Sequence, residues 1–146
     1  MEKKRRRAAR KCSEYLFLWA LGGSIYYLVE VAFRGFSHGS MFVLGGLALL
    51  FCTLQGQAMH WMEPLWLQLV RAVVFVTALE FITGILVNKW LRIGVWDYSD
   101  QPLQLFGQIC VPFMVLFSGL LVCAILLGGT VAHRLFGEER PRFHIL

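Results

Sequence analysis

The sequence predicts an all-α, polytopic membrane protein of four transmembrane helices, with both termini in the cytoplasm. Three observations carry that expectation. Of the 146 residues, 58% are apolar and only 16% are charged, whereas a soluble domain carries about 25% charged residues. The mean hydropathy is +0.61. The apolar residues collect in four runs, each near the roughly 20 residues that a helix needs to cross a bilayer. This composition argues against a soluble enzyme, leaves too little polar sequence for disorder, and suits one compact unit. A multi-pass protein of the cell membrane is the class that remains.

The four spans are placed at about 15–33, 41–59, 65–87 and 107–132. The first follows a basic tail, 1–13, holding Lys3, Lys4, Arg5, Arg6, Arg7, Arg10 and Lys11. A basic start and an apolar body also describe a signal peptide. The run has the length of a full span, however, and no clear small-x-small site follows it, so it reads as a retained helix. The tail abuts an apolar span, so its expected partner is anionic lipid headgroups and not nucleic acid, at about 1 kcal/mol per basic residue near the surface. With the N-terminus inside, Arg134, Arg140 and Arg142 also lie inside, while Arg34, Lys89 and Arg92 lie outside. This bias fixes the orientation.

The connections differ in length. His60 to Pro64 makes a tight inner hairpin, with Pro64 suited to a helix start. Residues 34–40 form a short outer loop and 88–106 a long one, and a long loop in a compact domain is usually functional or flexible. Within the long loop, Ser99 or Asp100 can cap a helix beginning near Pro102. Pro112 is expected to interrupt the fourth helix and free the carbonyl of Gln108. The tail 134–146 has mixed charge and is expected to be mobile. The whole transmembrane unit spans 14–133. Glycine pairs at Gly22-Gly23, Gly45-Gly46 and Gly128-Gly129 suit close helix packing.

Charge inside a span costs roughly 2.5–3.5 kcal/mol on insertion scales, so ionisable residues there need a reason. Glu30 and Arg34 are four apart and can pair on one helical face, with Tyr26 and Tyr27 a turn earlier. An interfacial ion pair with belt tyrosines explains these as well as a ligand site does. Glu80 lies deeper, with Thr77, Thr83, Gly84 and Asn88 on its face. That polar stripe should face the bundle, either as a protonated structural hydrogen-bonding group or as a functional carboxylate. Arg71 is nine residues from Glu80, on the opposite face and about 13 Å away; it can snorkel to the near cytoplasmic end and reads as structural or lipid-facing. Arg34, His38, Trp96, Asp97, Tyr98 and Gln108 add polar and aromatic groups at the outer end. The candidate substrate-binding set is therefore Glu30, Arg34, His38, Glu80, Thr83, Asn88, Trp96, Asp97, Tyr98 and Gln108. No comparable polar cluster is expected at the inner end. The four cysteines, Cys12, Cys52, Cys110 and Cys123, form no CxxC pair. They read as small apolar fillers, with no disulfide framework, metal site or cofactor expected.

Two stretches carry a resemblance. Tyr26-Tyr27-Leu28-Val29-Glu30, continuing through Arg34-Gly35-Phe36-Ser37-His38-Gly39-Ser40-Met41 to Gly45-Gly46, is the first. Glu80-Phe81-Ile82-Thr83-Gly84, Asn88, Trp96-Asp97-Tyr98-Ser99, Pro102 and Gly107-Gln108-Ile109-Cys110 make up the second. Together they resemble the signatures of the ABC-transporter type IV, or CmpB-like, family over about 15–131. The sequence departs from that pattern at Gln104, where the family often has Asn, and near Phe117-Ser118, where a Trp is common. The resemblance implies a transport role.

The hairpin 60–64 is too short to dock an ATPase, and no GxxxxGK[ST] motif is present. Three functions stay open on the residues. One is a small transporter or permease-like subunit, as a homo-oligomer or in a larger membrane complex, with Glu80 titrating. The second is an outer-leaflet enzyme on a lipid-linked substrate, using Glu30, His38, Glu80 and Asp97 as acid and base and Arg34 for phosphate. The third is a non-catalytic lipid-binding or assembly protein.

Overall fold

The computed structural model describes residues 1–94 and 96–145. Its elements are α1 (Glu2–Arg34), α2 (Gly39–Ala58), α3 (Leu65–Gly84) and α4 (Val111–Phe136), with two short strands, β1 (Gln104–Leu105) and β2 (Ile109–Cys110). All four helices, taking α3 with its continuation to Trp90, are long and apolar enough to cross a membrane. The α1–α2 and α3–α4 connections lie at one end of the bundle, the loop end. The α2–α3 turn and both chain termini lie at the other, the terminal end.

Local chemistry sets each boundary. Gly35 ends α1 in the left-handed region, φ 79°, and its N–H donates to the carbonyl of Val31 at 2.8 Å. His38 caps α2, its Nδ1 accepting from the Ser40 amide at 3.1 Å. Pro64 stands immediately before α3, as its place in the hairpin suggests. From Ile85 to Trp90 the helix widens into a π-helical turn, a feature that often accompanies functional sites.

Several sequence expectations are corrected here. The basic stretch is itself helical, because α1 is continuous from Glu2. No helix begins near Pro102. The segment instead forms a small antiparallel hairpin, Gln104 opposite Cys110 and Leu105 opposite Ile109. Pro112 does not interrupt α4, because α4 starts at Val111 and Pro112 occupies its first turn, where a missing N–H costs nothing. The C-terminal segment folds back on the α2–α3 turn. The His144 carbonyl accepts from the Leu65 amide at 2.7 Å, and the Phe143 ring meets Trp61 edge-on at 5.5 Å.

α2 is the central helix. Its glycines let α1 approach closely: a Cβ on Gly22 would stand 2.6 Å from the Gly45 carbonyl oxygen, and one on Gly46 2.5 Å from that of Trp19. The Trp19 and Phe42 rings lock the same interface edge-to-face at 4.9 Å. α3 packs on α2 through the stacked Phe51 and Phe75 rings, 4.1 Å apart. α4 packs on α2 where Gly128 lies against Thr53. α1 and α4 both lean on α2 and meet each other sparsely along their middles. Phe17 touches Phe136 near the terminal end, at 5.7 Å, and Tyr26 touches Phe117 nearer the loop end, at 6.2 Å. Between those contacts a groove is left.

Candidate functional site

The groove has a volume of about 340 Å³, within the range of small-molecule sites. α2 supplies its floor through Leu44, Gly45, Ala48 and Leu49, while α1 and α4 supply its sides. Ile25, Leu120 and Leu127 at its edges are exposed, so it opens sideways, to where lipid would lie. Glu80 of α3 is the one ionisable carboxylate on this wall. Tyr26 and Phe117 line the same groove, and Val76 lies one turn before Glu80 on α3.

The sequence places Glu80 here through helical spacing. Val76, one turn earlier, also lines the groove, and Gly84, one turn later, is buried against Gln108. Glu80 has no hydrogen bond or ion pair with any described residue. It interacts electrostatically with Glu30, Tyr26 and Tyr98. Glu30 is differently placed: it is buried and pairs with Arg34 at 3.0 Å, the i,i+4 pair expected from the sequence. Arg34 also lies over the Phe36 ring, 4.6 Å from its centre.

Tyr98 reaches this region from the long loop. Its ring stacks on Phe113 at 4.8 Å, and Phe113 meets Phe117 at 6.1 Å. Its amide donates to the carbonyl of Gly107 at 2.7 Å. Burial, then the carboxylates of Glu80 and Glu30, push the Tyr98 hydroxyl above the ordinary phenol range. It therefore stays a neutral donor.

Three other candidates form a separate scaffold. The Asn88 amide donates to Gln108 Oε1 at 2.7 Å, and the indole N–H of Trp96 donates to the Gln108 carbonyl at 2.9 Å. The Gln108 amide turns back to the carbonyl of Phe106 at 2.9 Å. Gly84 makes room for this: a Cβ there would stand 2.4 Å from Gln108 Oε1. The Gln108 carbonyl does accept a bond outside α4, though from Trp96 and not through any break in the helix. Trp96 is a core residue, 6% exposed, and not a belt aromatic.

The remaining candidates serve local structure. His38 caps α2 and also bonds the Ser40 hydroxyl at 2.9 Å. Asp97 accepts from both the hydroxyl and the amide of Ser99, the latter at 2.9 Å. These bonds, the hydroxyl's first, hold its carboxyl below the ordinary Asp range. Thr83 is half-buried on α3 and bonds no described residue. Sequence reasoning missed Phe113 and Phe117 as parts of the site. Phe117 follows Phe113 by four residues, the spacing of any apolar helix, and only the α1–α4 gap singles them out.

The expectation of a bare inner end is corrected. Glu14 is fully buried, 3.5 Å from Lys11, and accepts from the Gln57 amide at 2.9 Å. Lys11 also pairs with Glu138 at 2.7 Å. Arg71 pairs with Glu63 of the α2–α3 turn, in line with its structural reading. Gln55 donates to the carbonyl of Gln68 at 3.0 Å, and His60 meets Glu139 at 2.9 Å. The Lys11–Glu14 spacing was visible in the sequence as an i,i+3 pair. Among the described residues, no group of three or more His, Cys, Asp or Glu side chains is placed to hold a metal ion.

Four apolar helices around such a groove define a polytopic membrane protein. The chain belongs to the family described as Putative ABC-transporter type IV, which matches residues 16–144. No curated protein and no solved structure matches it.

Proposed function

We propose that this chain is a small transporter or permease-like subunit of the cell membrane, whose substrate contacts Glu80 in the groove between α1 and α4. The carrying observation is the pairing state of Glu80: it has no partner among the described residues and lies on a groove wall that is mostly apolar. Intramembrane ionisable residues mark substrate and ion pathways. Glu30, Arg34, Tyr26 and Tyr98 set the field around it. The charge bias of the sequence puts the termini in the cytoplasm, which makes the loop end the outer end and the site one of the outer leaflet half. The helical start of α1, carrying the basic run, then lies against anionic headgroups. A second copy or a larger complex would complete the permease.

The transporter reading is favoured over a lipid-directed enzyme by the engagement of two residues. His38 caps a helix and Asp97 closes a turn, so neither side chain is aimed at the groove as an acid or base. The assembly reading would make the same groove a packing surface. Native mass spectrometry of the purified protein, beside Glu80→Gln in gentle detergent, separates these. The expected result is a defined small molecule or lipid on the wild type that is lost from Glu80→Gln. Identical ligand-free spectra of the same oligomer would overturn the transport site in favour of a structural network.

A further inference from the structure

The groove's wall and its charge together specify the chemistry of an occupant. Apart from the Glu80 carboxylate, the Tyr26 hydroxyl and the Cys123 thiol, the lining is aliphatic, aromatic or glycine. Along α4 it runs from Phe117 to Leu127, ten residues and so about 15 Å of helix. That is room for an extended or bulky apolar body, not for a bare ion. A small hydrated cation would leave this surface without a contact and would lose its water for one carboxylate.

Charge narrows the choice. Glu30 is matched by Arg34 at 3.0 Å. Glu80 has no such match, so its ionised form leaves one unbalanced negative charge at this end of the groove. A neutral occupant would leave that carboxylate unpaired in an apolar wall, and an anion would face two carboxylates. The aromatic rings act in the same direction. Tyr26 and Phe117 line the groove and touch at 6.2 Å, and Phe113 and Tyr98 extend the ring chain toward the loop. Aromatic faces attract cations, more strongly where water is excluded. The exposed apolar rim at Ile25, Leu120 and Leu127 opens toward the lipid, the phase in which such a molecule would already be dissolved.

We propose that the groove binds a lipophilic cation: an apolar molecule with a single positive charge, held with its charge at Glu80 and its body along the α2 floor. This rests on the groove being the working site and adds the class of its substrate.

The test uses the full chain in detergent micelles, titrated calorimetrically with tetraphenylphosphonium and with tetraphenylborate, which has the same shape and the opposite charge. Saturable binding of the cation, absence of saturable binding of the borate, and an affinity about tenfold or more weaker in Glu80→Gln are expected. Glu80→Asp, which keeps the charge, should retain measurable affinity. Equal binding of the two probes to the wild type, preference for the borate, or no saturable binding of the cation would overturn the proposal, and none of these readouts depends on a variant folding. The two levels separate cleanly. A co-purified ligand lost from Glu80→Gln, in a protein that ignores tetraphenylphosphonium, keeps the site and overturns its assignment to cations. A phospholipid seen on the native protein and not displaced by the probe overturns it as well.

Discussion

Glu14 and Glu80 are both carboxylates inside the helical bundle, and their surroundings are opposite. At the terminal end, Glu14 lies within reach of Lys11 and accepts from Gln57, and Lys11 is itself tied to Glu138. At the loop end, Glu30 has Arg34, but Glu80 faces an apolar groove with no described partner. A matched charge can hold helices together. An unmatched one inside a membrane protein stabilises nothing by itself and keeps its interaction available for a ligand or a proton. The difference between the two carboxylates is therefore one of partnership, not of residue type.

The strongest way to probe the terminal end is through Trp61, 1% exposed. Its ring fills a notch made by glycine on two helices: Cβ atoms on Gly56 and Gly129 would stand 2.2 and 2.7 Å from it. Phe143 covers its edge. Trp61→Ala should lower unfolding stability in detergent by about 3–5 kcal/mol, while a ligand bound at the groove is retained by the folded fraction. Loss of ligand in proportion to a smaller stability change would mean that the two ends are not separable.

A smaller effect sharpens the comparison directly. Glu14→Ala leaves the half-buried Gln57 amide without its acceptor and removes one of the two carboxylates on Lys11. It should cost about 1–3 kcal/mol. Glu80→Gln should leave thermal stability unchanged or raise it, because it removes a charge with no partner. Equal destabilisation by the two substitutions would place Glu80 among the structural groups.

The fold was largely legible in the sequence because apolar run length alone decides it. The four spans need only about 20 apolar residues each, and each was located, with errors at the ends. Those errors have causes. The 2–13 stretch continues α1 because Ala8, Ala9 and the long basic side chains are good helix formers and no glycine or proline separates them from the span. The helix expected to start at 107 starts at Val111 because Gly107 lies at φ 71° in a turn, with β2 after it. The site was half legible. Residue type and helical spacing pointed to Glu80, Glu30 and Arg34. They could not tell that His38 would be used as a cap, that Asn88, Trp96 and Gln108 would bind one another, or that α1 and α4 would part to leave a groove. The His38 cap is local but uses a residue type outside the usual capping set, and the bonds among Asn88, Trp96 and Gln108 join residues 8 to 20 apart through a loop, where no helical or strand period marks them. The same limit hid the terminal-end network, whose Gln57, Glu63 and Glu138 are ordinary loop and helix-end residues when read one at a time.

The smallest expected effect lies in the exposed turn that carries Tyr98 to Phe113. Asp97 accepts two bonds from Ser99, and both favour its charged form, so its folded pKa lies below the unfolded value of about 3.9. The contribution is therefore fully present at neutral pH, above the unfolded pKa, and is lost as pH falls through the folded pKa. The Ser99 amide resonance should titrate with a midpoint below the ordinary Asp range, and Asp97→Asn should abolish that transition without changing ligand binding at neutral pH. The reason for the second half is geometric. Tyr98 is also held by its amide bond to Gly107 and by the stack on Phe113, neither of which uses the Asp97 side chain. A midpoint at or above the ordinary range would mean that the two Ser99 bonds do not persist in solution. Loss of ligand in Asp97→Asn at neutral pH would show that the turn, and not the ring stack, sets the position of Tyr98, and would move Asp97 from local structure into the site.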